Sequence, residues 1–202
     1  METDDALVEA LARDLDTSFE SLVLAHQDRL YSIALRMLGD ARDAEEVAQD
    51  ALVRAYRALA TYDRARIGAL LLRPWLATIV LNLCRSRLER RRRSGARPLS
   101  LDLPGDDPGR LAEPVADPEY GPVRIADRRE ENARWAIRVA ALPPAYRAAI
   151  VLRHVDGLTY PEIAIALGRP EGTVKAQVHR GVALLRAAYE ADGRREHEEL
   201  SA

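Results

Sequence analysis

The sequence predicts an all-α protein: two small helical domains joined by a flexible, proline-rich linker. Three observations predict it. Apolar residues recur at three- and four-residue spacing in the first 93 residues and again after residue 127, and no alternating strand pattern of useful length occurs. Aromatics are only 5% and glycines 11 of 202, a composition unlike a β-sandwich or barrel. Six of the eleven prolines lie between Pro98 and Pro122, in a segment with no apolar periodicity and several acids. With 48% hydrophobic and 31% charged residues, the flanking segments can still build packed cores.

Taken in order, residues 1–16 read as an acidic extension, 17–94 as a first domain, 95–128 as the linker, 129–190 as a second domain and 191–202 as a charged tail that frays. Phe19, Leu22, Val23, His26, Leu30, Ile33, Ala34 and Met37 trace one face of a helix that Gly39-Asp40 ends. A second helix covers Asp43 to Leu59, with Val47, Ala51, Ala55 and Leu59 on one side and Asp43, Glu46, Asp50, Arg54 and Arg57 on the other. Thr61 to Arg73 reads as a loop or short turn. Pro74 then suits the first turn of a third helix, from Trp75 to about Arg93.

Beyond the linker, Asp127 to Ala141 is helical until Pro143-Pro144 stops it. The next helix runs from Pro144 to about His154 and ends at Asp156-Gly157. Thr159-Tyr160-Pro161-Glu162 is a capping box that opens a short helix, and Gly168 closes it. A last helix covers about Glu171 to Glu190. A free linker of this kind lets the two domains move independently.

Charge is segregated beneath a net value of −2. Arg85 to Arg97 holds seven Arg against Glu89, whereas Met1 to Asp28 holds eight acids against Arg13. One concentrated basic segment in a nearly neutral chain points to a local polyanion contact. Only Lys175 among the 30 basic residues is Lys. Arg suits phosphate, although a GC-rich genome gives the same bias. No glycine-rich phosphate loop, HExxH or GxSxG occurs, and the four His are scattered, so no catalytic, metal or cofactor site is expected. Cys84 stands alone, which excludes an internal disulfide, and reads as packing. No apolar run of about 18 residues predicts membrane insertion, and the acidic start is unlike a secretory signal. A cytoplasmic location follows.

Three segments carry candidate chemistry. The helices Tyr160–Leu167 and Glu171–Glu190, joined by Gly168-Arg169-Pro170, form a helix-turn-helix candidate. Val174, Val178, Val182 and Leu185 make its buried stripe. Lys175, Ala176, His179 and Arg180 point away from it, with Gln177 on the flank, as in a helix that enters a major groove. An ordinary helical hairpin with a solvated face fits the same pattern. On the Trp75–Arg93 helix a polar stripe of Thr78, Asn82, Arg85 and Glu89, with Ser86 beside it, runs into Arg90-Arg91-Arg92-Arg93. That order suits bases first and phosphates after. Trp75 is placed either to stack on an unpaired base or to pack between helices. The acidic stripe Asp43, Glu46, Asp50 reads as a dock for a basic partner or as a solvated face.

Four stretches together resemble a known family: FESLVLAHQDRLYSIALRMLGDARDAEEVAQDALVRAYRAL (19–59), RPWLATIVLNLCRSRLERRRR (73–93), the acidic proline-rich spacer, and LPPAYRAAIVLRHVDGLTYPEIAIALGRPEGTVKAQVHRGVALLR (142–186). They resemble the extracytoplasmic-function class of sigma factors, the promoter-recognition subunits of bacterial RNA polymerase. The resemblance implies a sigma region 2-like domain, a sigma region 4-like helix-turn-helix domain, and no catalytic residue. Asp43, Glu46, Gln49, Asp50 and Arg54 fall where the family binds the clamp helices of the polymerase's largest subunit. Trp75, Thr78, Asn82, Arg85, Ser86, Arg90 and Arg91, with the 61–73 loop, fall where it opens and reads the −10 element. Thr173, Lys175, Ala176, Gln177, His179 and Arg180 fall where it reads the −35 element as duplex. The implied partners are core polymerase, including the flap of its second-largest subunit, promoter DNA and an anti-sigma factor, with no small-molecule substrate. The recognition helix departs from the family's frequent Ser-Arg by carrying Ala176-Gln177. A stand-alone helix-turn-helix regulator and an inactive sigma-like adapter that binds only polymerase are the alternatives.

Overall fold

A computed structural model describes residues 2–94 and 134–199, and every element among them is helical. The proline-rich linker predicted over 95–128 lies outside the described residues.

The acidic extension is itself a helix, α1, Glu2–Arg13. Its Val8 and Leu11 are buried, and that apolar contact anchors it to the domain. Asp14 ends α1 and caps α2, Leu15–Leu38, by accepting from the Thr17 amide and hydroxyl. Gly39 stops α2 with φ 68°, a left-handed conformation that glycine adopts without strain. Asp40 then accepts from the Asp43 amide at 2.8 Å and starts α3, Ala41–Leu59. Asp63 caps the short α4, Arg64–Gly68, within the expected loop. Helix α5 spans Leu72–Arg93 with Pro74 in its first turn, where the missing amide hydrogen is harmless.

Helices α2, α3 and α5 pack as a bundle around Leu22, Leu30, Ile33, Leu38, Val47, Leu59, Leu76 and Val80. Ala44, Ala51 and Ala55 are fully buried on α3, and their small side chains let it lie close to α2.

The second half contains α6 (described over 134–141), α7 (Pro144–Ile150), α8 (Tyr160–Leu167) and α9 (Glu171–Glu199). Val151–Val155 continues α7 as a wider π turn, in which the Asp156 amide donates to the Val151 carbonyl at 3.0 Å. Helix α9 continues past the expected end near Glu190, so the predicted tail is mostly helix. It crosses α7 closely at Gly181, where an added Cβ would lie 2.6 Å from Ile150 Cγ1.

In the structure the two halves are packed together. Buried Arg147 donates to the carbonyls of Met37 on α2 (2.7 Å), Leu142 (3.1 Å) and Ala140. A guanidinium with five fixed donors can satisfy three carbonyls from two chain segments at once.

Candidate nucleic-acid interface

Helix α9 is aimed by the joint that precedes it. Thr159 and Glu162 close the capping box of α8, with the Thr159 amide donating to Glu162 Oε2 at 2.8 Å. Gly168 ends α8 at φ 60°, and the Arg169 amide donates back to the Ala164 carbonyl at 3.0 Å. From this joint α9 presents Thr173, Lys175, Ala176, His179 and Arg180 to solvent while Val174 and Val178 are buried. Lys175 pairs with Glu171 at 2.7 Å, which holds its pKa above the ordinary lysine value. Gly172, Thr173, Ala176, Gln177 and Arg180, with Tyr146 of α7, border a depression of about 410 Å³ on this face.

Gln177 departs from the expectation. It is 8% exposed, and its Oε1 is buried without a hydrogen-bond partner. Gln177 lies one helical turn before Gly181, where α9 packs closely on Ile150 and Tyr146 of α7. It nevertheless borders the same depression as Thr173, Ala176 and Arg180.

Helix α5 divides in a similar way. Asn82, Arg85, Ser86 and Arg90 are exposed, and Arg85 donates to Asn82 Oδ1 at 2.9 Å. Trp75 is half-buried, with its ring 6.3 Å from that of Tyr62. The Thr78 hydroxyl donates to Pro74 within its own helix and reaches the Ala166 carbonyl of α8 at 3.2 Å. Arg91 is not a free phosphate contact. Its guanidinium is bound to Asp43, with Leu38's carbonyl 3.4 Å away, because α5 crosses the junction between α2 and α3 at this point.

The acidic stripe on α3 is likewise split. Glu46, Gln49, Asp50 and Arg54 are exposed, and Val53 beside them is 49% exposed. Asp43 turns inward and accepts from Arg87 and Arg91. Hydrogen bonding from Arg87 holds its carboxyl below the usual range, against the effect of burial. Glu46 also accepts from Arg87, at 2.6 Å. Residue spacing alone placed Asp43 on the outer face and did not reveal Arg87, which lies 44 residues away.

The 61–73 segment, whose site residues were not assignable from the sequence, holds Arg66 over the Tyr62 ring at 3.7 Å and leaves Leu71 56% exposed. Cys84 is buried and its thiol pKa is pushed up to about 12, which removes it as a nucleophile. Among the described residues no group of three or more His, Cys, Asp or Glu could hold a metal ion. No described helix is long and apolar enough to cross a membrane.

Two family models match the two halves: Sigma-70 region 2 over residues 22–94, and Sigma-70, region 4 over residues 138–185. The ECF RNA polymerase sigma factor SigW of Bacillus subtilis is 30% identical over 169 residues, covering 84% of this chain and 87% of that protein. The chain belongs to the extracytoplasmic-function RNA polymerase sigma factors. SigE of Mycolicibacterium smegmatis, another such sigma factor, is 33% identical over 169 residues, and the match spans 84% of this chain but only 60% of that protein. CnrH, solved in complex with the cytosolic domain of CnrY, superposes with a TM-score of 0.66 at 28% identity, over 94% of this sigma factor and 98% of CnrH. Members of this family are transcription initiation factors, not enzymes.

Proposed function

We propose that this sigma factor reads two promoter elements with two helices and joins core polymerase through a third. Residues 17–94 form the first module and 129–190 the second. The exposed face of α3, carrying Glu46, Gln49, Asp50 and Arg54, binds the clamp helices of the largest subunit. The second module rests on the flap of the second-largest subunit. On α5, Trp75, Asn82, Arg85, Ser86 and Arg90 engage the opened −10 strand, where base edges are accessible once unstacked. On α9, Thr173, Lys175, Ala176, His179 and Arg180 engage the −35 duplex. Thr78 joins the −10 face when α8 is lifted from it. Asp43, Arg91 and Gln177 serve the fold.

The observation that supports this most strongly is the start of α9. Its polar and small residues face outward while Val174 and Val178 face inward, behind a capped helix and a left-handed glycine. An anti-sigma partner fits the comparison with CnrH, which was solved bound to CnrY. The protein would work in the cytoplasm, where polymerase and promoter DNA meet.

Permanganate probing of promoter DNA with core polymerase tests the proposal. Unpaired thymines appear near −10 only when the sigma factor is present. Asp50→Arg weakens core binding, whereas Arg85→Ala leaves core binding intact and reduces opening. Loss of core binding in Arg85→Ala, or opening that is unchanged in both variants, contradicts these assignments.

A further inference from the structure

Helix α4 is too short to hold itself in place. Its five residues, Arg64–Gly68, make little more than one turn, and a first turn fixes more dihedrals than its hydrogen bonds repay. Ile67 is its one buried side chain. Helix α1 supplies the rest of the hold. It packs along α4, and its Val8 and Leu11 share the apolar core that takes in Ile67. From α4, Arg64 Nε donates to the Ala12 carbonyl at 2.8 Å and Nη2 to the Arg13 carbonyl at 3.4 Å. Both carbonyls belong to the last turn of α1, where no further amide of that helix follows to reach them and where a cation complements the helix dipole. The start of α4 leads on to an aromatic pair. Asp63 accepts from the Arg66 amide at 2.7 Å, the Arg66 guanidinium lies over the Tyr62 ring, and Tyr62 meets Trp75 of α5 at a tilt. Direct contacts therefore run without a gap from α1 to Trp75.

We propose that α1 braces the promoter-opening segment and that Arg64 is the positioning residue through which it acts: fastened to the end of α1, Arg64 sets where α4, Tyr62 and Trp75 stand against the −10 strand. The proposal rests on the assignment of Trp75 and α5 to that strand. Arg64 itself is not a DNA contact, because Nε and Nη2 are both taken by backbone carbonyls of α1. Exposed hydrogen bonds of this kind add little to global stability. Their effect is on geometry, since they select one position for a helix with little hold of its own. Core binding is insensitive to the brace, because Glu46, Gln49, Asp50 and Arg54 project from α3. A chain of contacts carries coupling only if its links fail together, and that is measurable.

Open-complex yield at one of the protein's own mapped promoters, read by permanganate with core polymerase in excess, tests the brace in the full chain. Arg64→Ala lowers opening about fivefold, the weight of one or two hydrogen bonds, at unchanged helix content and core binding. Leu11→Ala disturbs the brace from α1, where no promoter contact is assigned, and lowers opening in the same way. The double variant opens no worse than the poorer single one, because both changes remove one hold. In both single variants selection from a randomised −10 pool flattens while selection from a −35 pool matches the parent, a split that general loss of folding does not produce. Additive losses overturn the proposal, since they make Arg64 a separate contact to DNA. Parent-like opening in Arg64→Ala overturns it too. Arg85→Ala is measured beside them: a defect there alone removes only the brace, whereas parent-like opening there as well removes α5 from the −10 site and the brace's role with it.

Discussion

The carboxylate of Asp43 is held by the guanidinium of Arg87, and Arg91 grips it from the next turn of α5. This pair joins the first turn of α3 to the last turns of α5. It divides one run of acids into two jobs, because Asp43 braces the bundle and Glu46, Gln49 and Asp50 remain on the surface. Asp43→Ala therefore destabilises the first domain by about 1–3 kcal/mol, since two largely shielded guanidinium groups lose a charged acceptor. A lower urea midpoint at constant m-value checks this. In the parent, the carboxyl's depressed pKa makes its contribution present at neutral pH and lost as pH falls below the ordinary carboxylate range. The variant's stability lacks that acid limb.

His26 gives a second pH dependence, nearer neutrality. It is buried on α2 with Nε2 3.5 Å from Asp4 Oδ1, and neither ring nitrogen has a hydrogen-bond partner. Burial lowers its pKa from the ordinary 6.5. Asp4 opposes this, and Arg29 and Arg73 reinforce it. The unfolded chain therefore takes up a proton before the folded one. Stability is full above the ordinary value and declines as pH falls through it toward the folded pKa, by at most about 1.4 kcal/mol per pH unit for one proton. Burial shifts His154 in the same direction, with Arg153 adding to the effect. Melting temperature followed from pH 7.5 to 5 should fall, and His26→Met should flatten part of that slope.

Gly181 separates close packing from helix propensity. Alanine is the better helix former by about 1 kcal/mol. Here, however, its methyl would meet Ile150 Cγ1 at 2.6 Å and Cδ1 at 3.0 Å. Gly181→Ala is expected to destabilise the second domain by about 1–3 kcal/mol through overpacking. At Gly172 an added Cβ meets nothing within 4 Å. Gly172→Ala is expected to raise the melting temperature, so thermal melts of the two variants should move in opposite directions.

Gln177 and Arg180 are three residues apart on α9 but differ in burial, Gln177 being buried and Arg180 exposed. Arg180→Ala is expected to lose about 1–3 kcal/mol of discrimination at one −35 position. Gln177→Leu should leave the sequence preference unchanged and not lower stability, because it replaces a buried amide oxygen that has no partner. Selection of bound duplexes from a randomised −35 pool checks both.

Much of this was legible in the sequence wherever the signal is local. The caps at Asp40 and Thr159, the left-handed stops at Gly39 and Gly168, and the inward valines of α9 all follow from neighbouring residues. Helix α1 was missed because Val8 and Leu11 form too short an apolar face among acids to stand out. The π turn after Ile150 has no sequence signal that the usual helical period would expose. At Asp43 and Arg91 the period was read correctly, but each residue sits at the edge of its stripe. There a partner distant in sequence decides which way the side chain turns. The contact between Arg29 and Asp156 spans 127 residues and a linker, so no local pattern encodes it.

The central claim is that this sigma factor directs polymerase to a defined class of promoters. The most direct test mixes the purified chain with sigma-free bacterial core polymerase and sequences the transcripts made from sheared genomic DNA of its source. The account predicts discrete start sites that share a pair of upstream elements, lost in Arg85→Ala and altered at −35 in Arg180→Ala. Start sites no different from those of core polymerase alone, despite stable binding of the chain to core, would contradict it.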